Sequence, residues 1–472
     1  MTTHGSSKAP LVVVGDALLD RDLTGSADRL APDAPVPVVA GCEERVRPGG
    51  AALAAYLAAA DGRPVTLITG LGDDPASGRL RELLDGRVEL IPLPLTGALS
   101  EKTRVLARGR PVVRLDRGDG RARAATEEAR AALGAAPAVL VSDYGRGAAD
   151  ALRDVLTERP PLVWDPHPRG GPPVPGTRLV TPARSEAEAF ARQTDAGADT
   201  PGGELRQAAG QAAALVRHWR VGAVSVTLGV RGALLSYGDH PLLVPAPAAH
   251  EGDPCGAGDR FAATAAGLLA DGSLVGEALQ GAVAAATAFV GSGGAAAFPP
   301  PAPGRTAAPA APSAPCGDGA SGDPFAVAAR VRAFGGTVVA AGGCFDLLHA
   351  GHVGLLQAAR RIGDCLVVCV NSDDSVRRRK GDGRPVNPLA DRVRVLRALG
   401  CVDAVAVFDE DTPERLLAEL RPDVWVKGGD YTGADLPEAA LLREWGGQAV
   451  LLPYLDGRSS TALIARAAEG AR

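Results

Sequence analysis

Sulfur and aromatic side chains are scarce here: one methionine, seven cysteines, and 4% Phe, Trp and Tyr in 472 residues. The cysteines (Cys42, Cys255, Cys316, Cys344, Cys365, Cys369 and Cys401) are odd in number and contain no CxxC pair. With no regular disulfide spacing either, that predicts a reduced, cytoplasmic setting. Long apolar runs are missing too. The polar start MTTHGSSKAP leads into only four apolar residues, Leu11 to Val14, so no signal peptide is expected. The longest uncharged run, 278–304, is Ala, Gly and Pro rather than a membrane span. Excess positive charge is also absent: the net charge is −5, which supplies no cationic field for nucleic acid or an anionic membrane.

What is abundant is Gly and Pro, 60 and 38 residues. Seven of the seventeen residues in 299–315, PPPAPGRTAAPAAPSAP, are proline, and 299–324 reads as a semi-rigid linker between domains at 1–298 and 325–472. Before it, short apolar runs at 11–15, 64–70, 138–143, 161–165 and 223–229 alternate with Ala- and Arg-rich helical stretches. After it, runs at 337–343, 365–371, 404–408, 423–429 and 449–453 repeat the pattern. This alternation predicts α/β architecture with buried parallel strands in both parts. The segment 101–118 follows the strand-like 88–94 without an intervening helix, and its Gly-bearing turn suggests a β lid.

The first chemical constellation is DPCGAGDRFAATAAGLLADG at 253–272. Gly256, Ala257 and Gly258 precede Asp259 and an apolar helix. Unpaired N–H groups at a helix start can hold a transferring phosphate, and a carboxylate there can accept the proton of an attacking hydroxyl. A Gly-rich turn whose Asp merely caps the helix is the alternative.

These residues resemble the ribokinase-like (PfkB) sugar kinases, whose signatures are this GAGD tetrad and a Gly-Gly pair, here Gly49 and Gly50. The phrases at 15–39, 100–116 and 139–149 (VLVSDYGRGAA) look like the heptose-7-phosphate kinase branch, and the likeness covers 10–298. The resemblance implies a three-layer α/β domain with a β lid, and Asp259 as the base for the anomeric hydroxyl. It also implies Gly256 to Gly258 as the γ-phosphate hole, Glu186 as organiser of a magnesium-bound water with no direct metal ligand, and Asp16 and Asp20 on sugar hydroxyls beside Gly49 and Gly50. Lys102 and Arg104, alternating on the lid strand, and Arg146 would grip the distal phosphate. Asp16 and Asp20 could instead cap turns, and the three cations could be a solvated face. Three positions depart from the family pattern: Leu53 and Ala183 stand where it has Asn, and Pro254 where it has Thr.

The second constellation is GGCFDLLHAGHVGLLQAARRIGD at 342–364, where His349 and His352 lie three apart at a helix start and point to the same space. A zinc site would need more ligands at ordered spacing, and a structural His pair is the bland alternative. The phrase matches the HxGH signature of the nucleotidyltransferase superfamily. Across 337–466 the chain resembles the heptose-1-phosphate adenylyltransferases, through NSDDSVRRRKGDGRPVNPLADR, RPDVWVKGGDY and DGRSSTALI. That likeness implies a Rossmann-like domain in which His349, His352 and Lys380 stabilise a pentacoordinate α-phosphate. Gly343, Phe345, Arg392, Lys427, Ser459, Ser460 and Thr461 would bind the triphosphate. The run Arg377 to Lys380 read as a nucleic-acid patch lacks interleaved aromatics.

The order kinase, linker, nucleotidyltransferase is similar to that of the bifunctional heptose-7-phosphate kinase/heptose-1-phosphate adenylyltransferases. The resemblance implies ATP and Mg2+ as cofactors, sugar phosphates as partners, a homodimer or higher homo-oligomer, and a separate phosphatase acting between the two steps. The rival readings are a sugar or polyol kinase fused to a cytidylyltransferase, and a sugar-phosphate sensor with a degenerate kinase half.

Overall fold

In the computed structural model, residues 8–194, 203–238, 241–250, 252–297, 322–428 and 437–453 are described. The chain divides into two units, 1–196, 214–230 and 248–308 in one, and 197–213, 231–247 and 309–472 in the other. This differs from a division at the Pro-rich stretch alone. The reason is strand pairing: Leu242–Val244 lies antiparallel to Ala233–Ser236 and offers its other edge to Gln448–Leu452, in register at Leu242 and Leu451.

The first unit is built on the strand Leu11–Gly15, buried along its whole length as its β-branched run requires. It is flanked in parallel by Val65–Leu71 on one side and Val139–Ser142 on the other. Beyond these lie Glu89–Thr96 in one direction, and Val163–Asp165, Leu179–Val180 and Val224–Thr227 in the other, all parallel. Strand order therefore reverses at Leu11–Gly15. In open α/β sheets, ligands bind in the crevice at the carboxyl ends of strands around such a reversal. Asp16, Asp143, Tyr144 and Asp165 all sit at or just past those ends.

The lid is larger than the sequence suggested. Pro37–Gly50, Ala17–Leu30, Glu101–Ala107 and Arg110–Arg117 form a separate four-stranded sheet, while Glu89–Thr96 belongs to the main sheet. Its last hairpin turns on Arg108 and Gly109, with φ of 49° and 76°, the two left-handed residues that a tight hairpin turn needs.

In the second unit, Val338–Gly343 is flanked in parallel by Cys365–Asn371 and Val424–Gly428, with Ala404–Phe408 and Gln448–Leu452 beyond them. Order again reverses at the first strand, and the HxGH segment follows its carboxyl end. No helix among the described residues is long and apolar enough to cross a membrane.

Candidate active sites

Gly256, left-handed at φ 81°, begins the helix Ala257–Ala270, and a Cβ there would strike Leu53. Leu53 is thereby explained: it is buried with Leu57, Phe289 and Ala295 beneath the turn, where it packs. The N–H of Ala257 bonds to Pro254. Those of Gly258 and Asp259 have no acceptor among the described residues, so the helix start keeps donors for an anion.

Asp259 is buried on this turn, and the Tyr144 hydroxyl donates to its Oδ1 at 3.0 Å. Burial pushes its carboxyl up to about 7; the Tyr144 hydrogen bond and Lys102 oppose the rise, while Asp20 and Glu186 add to it. A carboxylate near neutrality suits a general base. Asp165, which sequence reasoning missed, is driven well above the usual carboxylate range by burial and by the charges of Asp259 and Glu186, and accepts from Thr181 Oγ1 at 2.9 Å. Glu186 accepts from the N–H of Ala183 at 2.8 Å and is itself pushed up by burial.

The expected sugar contacts separate into two kinds. Asp20 lies against Gly49, with Gly50 next along the strand that enters helix Ala51–Ala60, and with Arg47 Nη2 3.5 Å away. Its charge acts on both Lys102 and Asp259. Asp16 does different work. Its Oδ2 accepts from the N–H groups of Tyr144 and Arg146, at 3.0 and 2.8 Å, and its Oδ1 from Ala148 at 3.1 Å. Fully engaged, it shapes the 144–148 turn, the capping alternative that the sequence left open.

The two lid cations also part company. Parallel pairing sets Lys102 opposite Asp20, and Arg104 opposite Asp22. Arg104 binds Asp22 through Nε and Nη2, at 2.8 and 3.0 Å, and Asp253 through Nη1 at 2.8 Å. Fully buried Arg47 adds a 2.6 Å ion pair to Asp22. Arg104 is thus a strut between the lid and the anion turn, not a cation held open for phosphate. Lys102 has its Nζ 5.3 Å from the Tyr144 ring centroid, on the crevice. The Asp20/Asp22 alternation was a readable signal for this network, but its partners lie on other strands.

In the second unit, His349 caps helix Ala350–Arg360 and stacks on His352, ring centroids 3.9 Å apart. Phe345, at φ 45° and buried, sets its ring edge-on to His352 at 5.3 Å and fills the space over Gly343. Burial, His349 and Lys380 hold His352 down to about 4, so at neutral pH it is an uncharged imidazole. Lys380 Nζ lies 2.9 Å from Cys344 Sγ, which brings it to the same turn.

Arg392 is placed differently from the expectation. Its buried guanidinium donates to the carbonyls of Cys344, Asn371 and Asn387 and to Asp373, at 2.6 to 3.1 Å, so it welds the site's loops from behind. Lys427 is ion-paired to Glu438 at 2.9 Å. Asp346 was missed: it accepts from Arg384 Nε and from the N–H groups of Val386 and Asn387, at 2.6 to 3.0 Å, tying the RPVN loop to the turn. Ser459, Ser460 and Thr461 lie outside the described residues.

The pfkB family carbohydrate kinase model matches residues 172–302, and the cytidylyltransferase-like model matches 340–466. A solved ribokinase structure from Arabidopsis thaliana, complexed with ribose and ATP, is 21% identical and covers 60% of this chain and 93% of its own, at a TM-score of 0.46. The bifunctional protein HldE of Azorhizobium caulinodans is 38% identical over 97% of this chain and 98% of its own length. That of Streptomyces coelicolor is 79% identical over 99% and 98%. Likeness that runs through both sites and nearly end to end leaves one conclusion: the chain belongs to the bifunctional HldE family, a carbohydrate kinase fused to a nucleotidyltransferase.

Proposed function

We propose that the first unit transfers the γ-phosphate of ATP to the C1 hydroxyl of D-glycero-D-manno-heptose 7-phosphate, and that the second transfers AMP from ATP to heptose 1-phosphate, releasing pyrophosphate. The observation that carries the kinase step is Asp259, buried at about 7 on a helix start with unengaged N–H groups. Asp259 takes the proton of the C1 hydroxyl as its oxygen attacks phosphorus. The turn's N–H groups bind the transferring phosphoryl oxygens, and Asp20 and Lys102 orient the sugar.

Magnesium, when bound, neutralises phosphate charge. The cation would be carried by the phosphates, with Glu186 accepting from one of its waters.

In the second step the nucleophile is a phosphate oxygen and needs no base. His349 and His352 donate to the α-phosphate as negative charge develops, and Lys380 adds positive charge. The 7-phosphate must leave between the steps, which assigns that hydrolysis to a separate phosphatase in a shared cytoplasmic compartment. Exposed Val112, Val113 and Leu115 on the outermost lid strand support self-association.

The test supplies the intact chain with heptose 7-phosphate and ATP and follows ADP release, then with heptose 1-phosphate and ATP or CTP and follows pyrophosphate. ADP release and an ATP preference are expected. A CTP preference selects the cytidylyltransferase reading, and no ADP release on any sugar phosphate selects the degenerate kinase.

A further inference from the structure

With Arg104 engaged by Asp22 and Asp253, the distal phosphate of a sugar phosphate needs another receptor. Two loops and the two-residue strand Arg121–Ala122 of the first unit meet at backbone level near the crevice, and each carries an arginine. The N–H of Ala122 donates to the carbonyl of Arg146 at 2.9 Å, which joins the strand of Arg121 to the loop of Arg146. Gly145, at φ 72°, lies so close to Arg169 that a Cβ would collide with its carbonyl. The turn itself is fixed by Asp16 through the N–H groups of Tyr144, Arg146 and Ala148.

We infer that Arg121, Arg146 and Arg169 form an anion receptor that reads the phosphomonoester at the far end of the kinase substrate. Among the described residues none of the three has an ion-pair partner, and half-buried Arg146 differs in this from most other buried or half-buried arginines described. Arg146 is half-buried, and one of its N–H groups reaches the Gly118 carbonyl at 3.3 Å. Burial and the charges of Arg169 and Arg121 work against its protonated form, while Asp16 and Asp119 support it. Like charges set near one another favour a bound dianion, and guanidinium forks match phosphate oxygens.

The turn that carries Arg146 is tied to the base: Tyr144, two residues before it, donates its hydroxyl to Asp259.

This inference rests on the proposed kinase function, and the experiment separates the two. Arg121→Gln and Arg169→Gln are made in the full chain, both being exposed residues whose loss should not disturb folding. Each should raise KM for heptose 7-phosphate by about tenfold or more. KM for ATP, adenylyl transfer, and the kcat/KM for the same heptose without its 7-phosphate should stay within twofold of wild type. If the wild type phosphorylates the 7-phosphate sugar and the variants keep its KM, or lose both sugars equally, the receptor is wrong although the kinase reading stands. If the wild type uses no 7-phosphate sugar, the kinase reading fails, and inorganic phosphate decides the receptor by calorimetric titration. Weakened phosphate binding in the variants then supports it, and unchanged binding overturns it.

Discussion

Replacing Tyr144 with Phe isolates one hydrogen bond at the kinase base. The phenol donates to Asp259 Oδ1 at 3.0 Å, and Lys102 also favours the ionised carboxylate. Burial, Asp20 and Glu186 oppose it, and Asp165 faces the same group. A hydrogen bond to a charged group contributes about 1.5–3 kcal/mol, and about 1.4 kcal/mol corresponds to one pH unit. Removing the hydroxyl withdraws support from the ionised form, so the carboxyl holds its proton to higher pH. The acidic limb of kinase kcat/KM, set near 7 by Asp259, should move up by about one to two units. At pH 7 the variant should then be about five- to fiftyfold slower, and should recover toward wild-type activity above pH 9. The assay is coupled ADP release across pH 5.5–9.5, on a ring that keeps its contacts with His167 and Lys102. An unmoved limb, or a loss equal at every pH, would refute the reasoning.

Asp259→Asn should cut C1 phosphorylation by about 10²-fold or more with adenylyl transfer intact; near-normal kinase turnover would remove Asp259 from its role. His349→Ala or His352→Ala should lower adenylyl-transfer kcat by about 10²-fold with little change in ATP affinity, since a preorganised donor contributes about 2.7–4 kcal/mol in the transition state. Weakened ATP binding with full turnover at saturation would make the histidines positioning groups. Arg47→Met, by leaving Asp22 and Asp20 short of a buried partner, should destabilise the first unit by about 3–5 kcal/mol. Calorimetry should show a lower melting temperature for that unit, and an unchanged one would mean that the network adds nothing to stability.

What the sequence by itself determined are the features that a short stretch of chain encodes locally. The GAGD turn with Asp259 and the HxGH helix start with His349 and His352 each need only a few consecutive residues and the unpaired N–H groups at a helix start. The buried strands of both units were legible for the same reason, since an apolar β-branched run has few other places to go. The Pro-rich stretch announced itself by composition. Tertiary structure decided the rest, because period-two alternation tells which side chains share a face but not what stands opposite. Arg104 on its strand looked like a free cation; the parallel register with Ala17–Leu30 set Asp22 against it. Arg392 could not be known to be buried until three backbone carbonyls closed around it. Tyr144 and Asp259 are 115 residues apart, and Arg121, Arg146 and Arg169 sit on separate segments of chain. Only the reversal of strand order at Leu11–Gly15 brings such residues to one crevice, because it is there that loops from opposite halves of the sheet face each other.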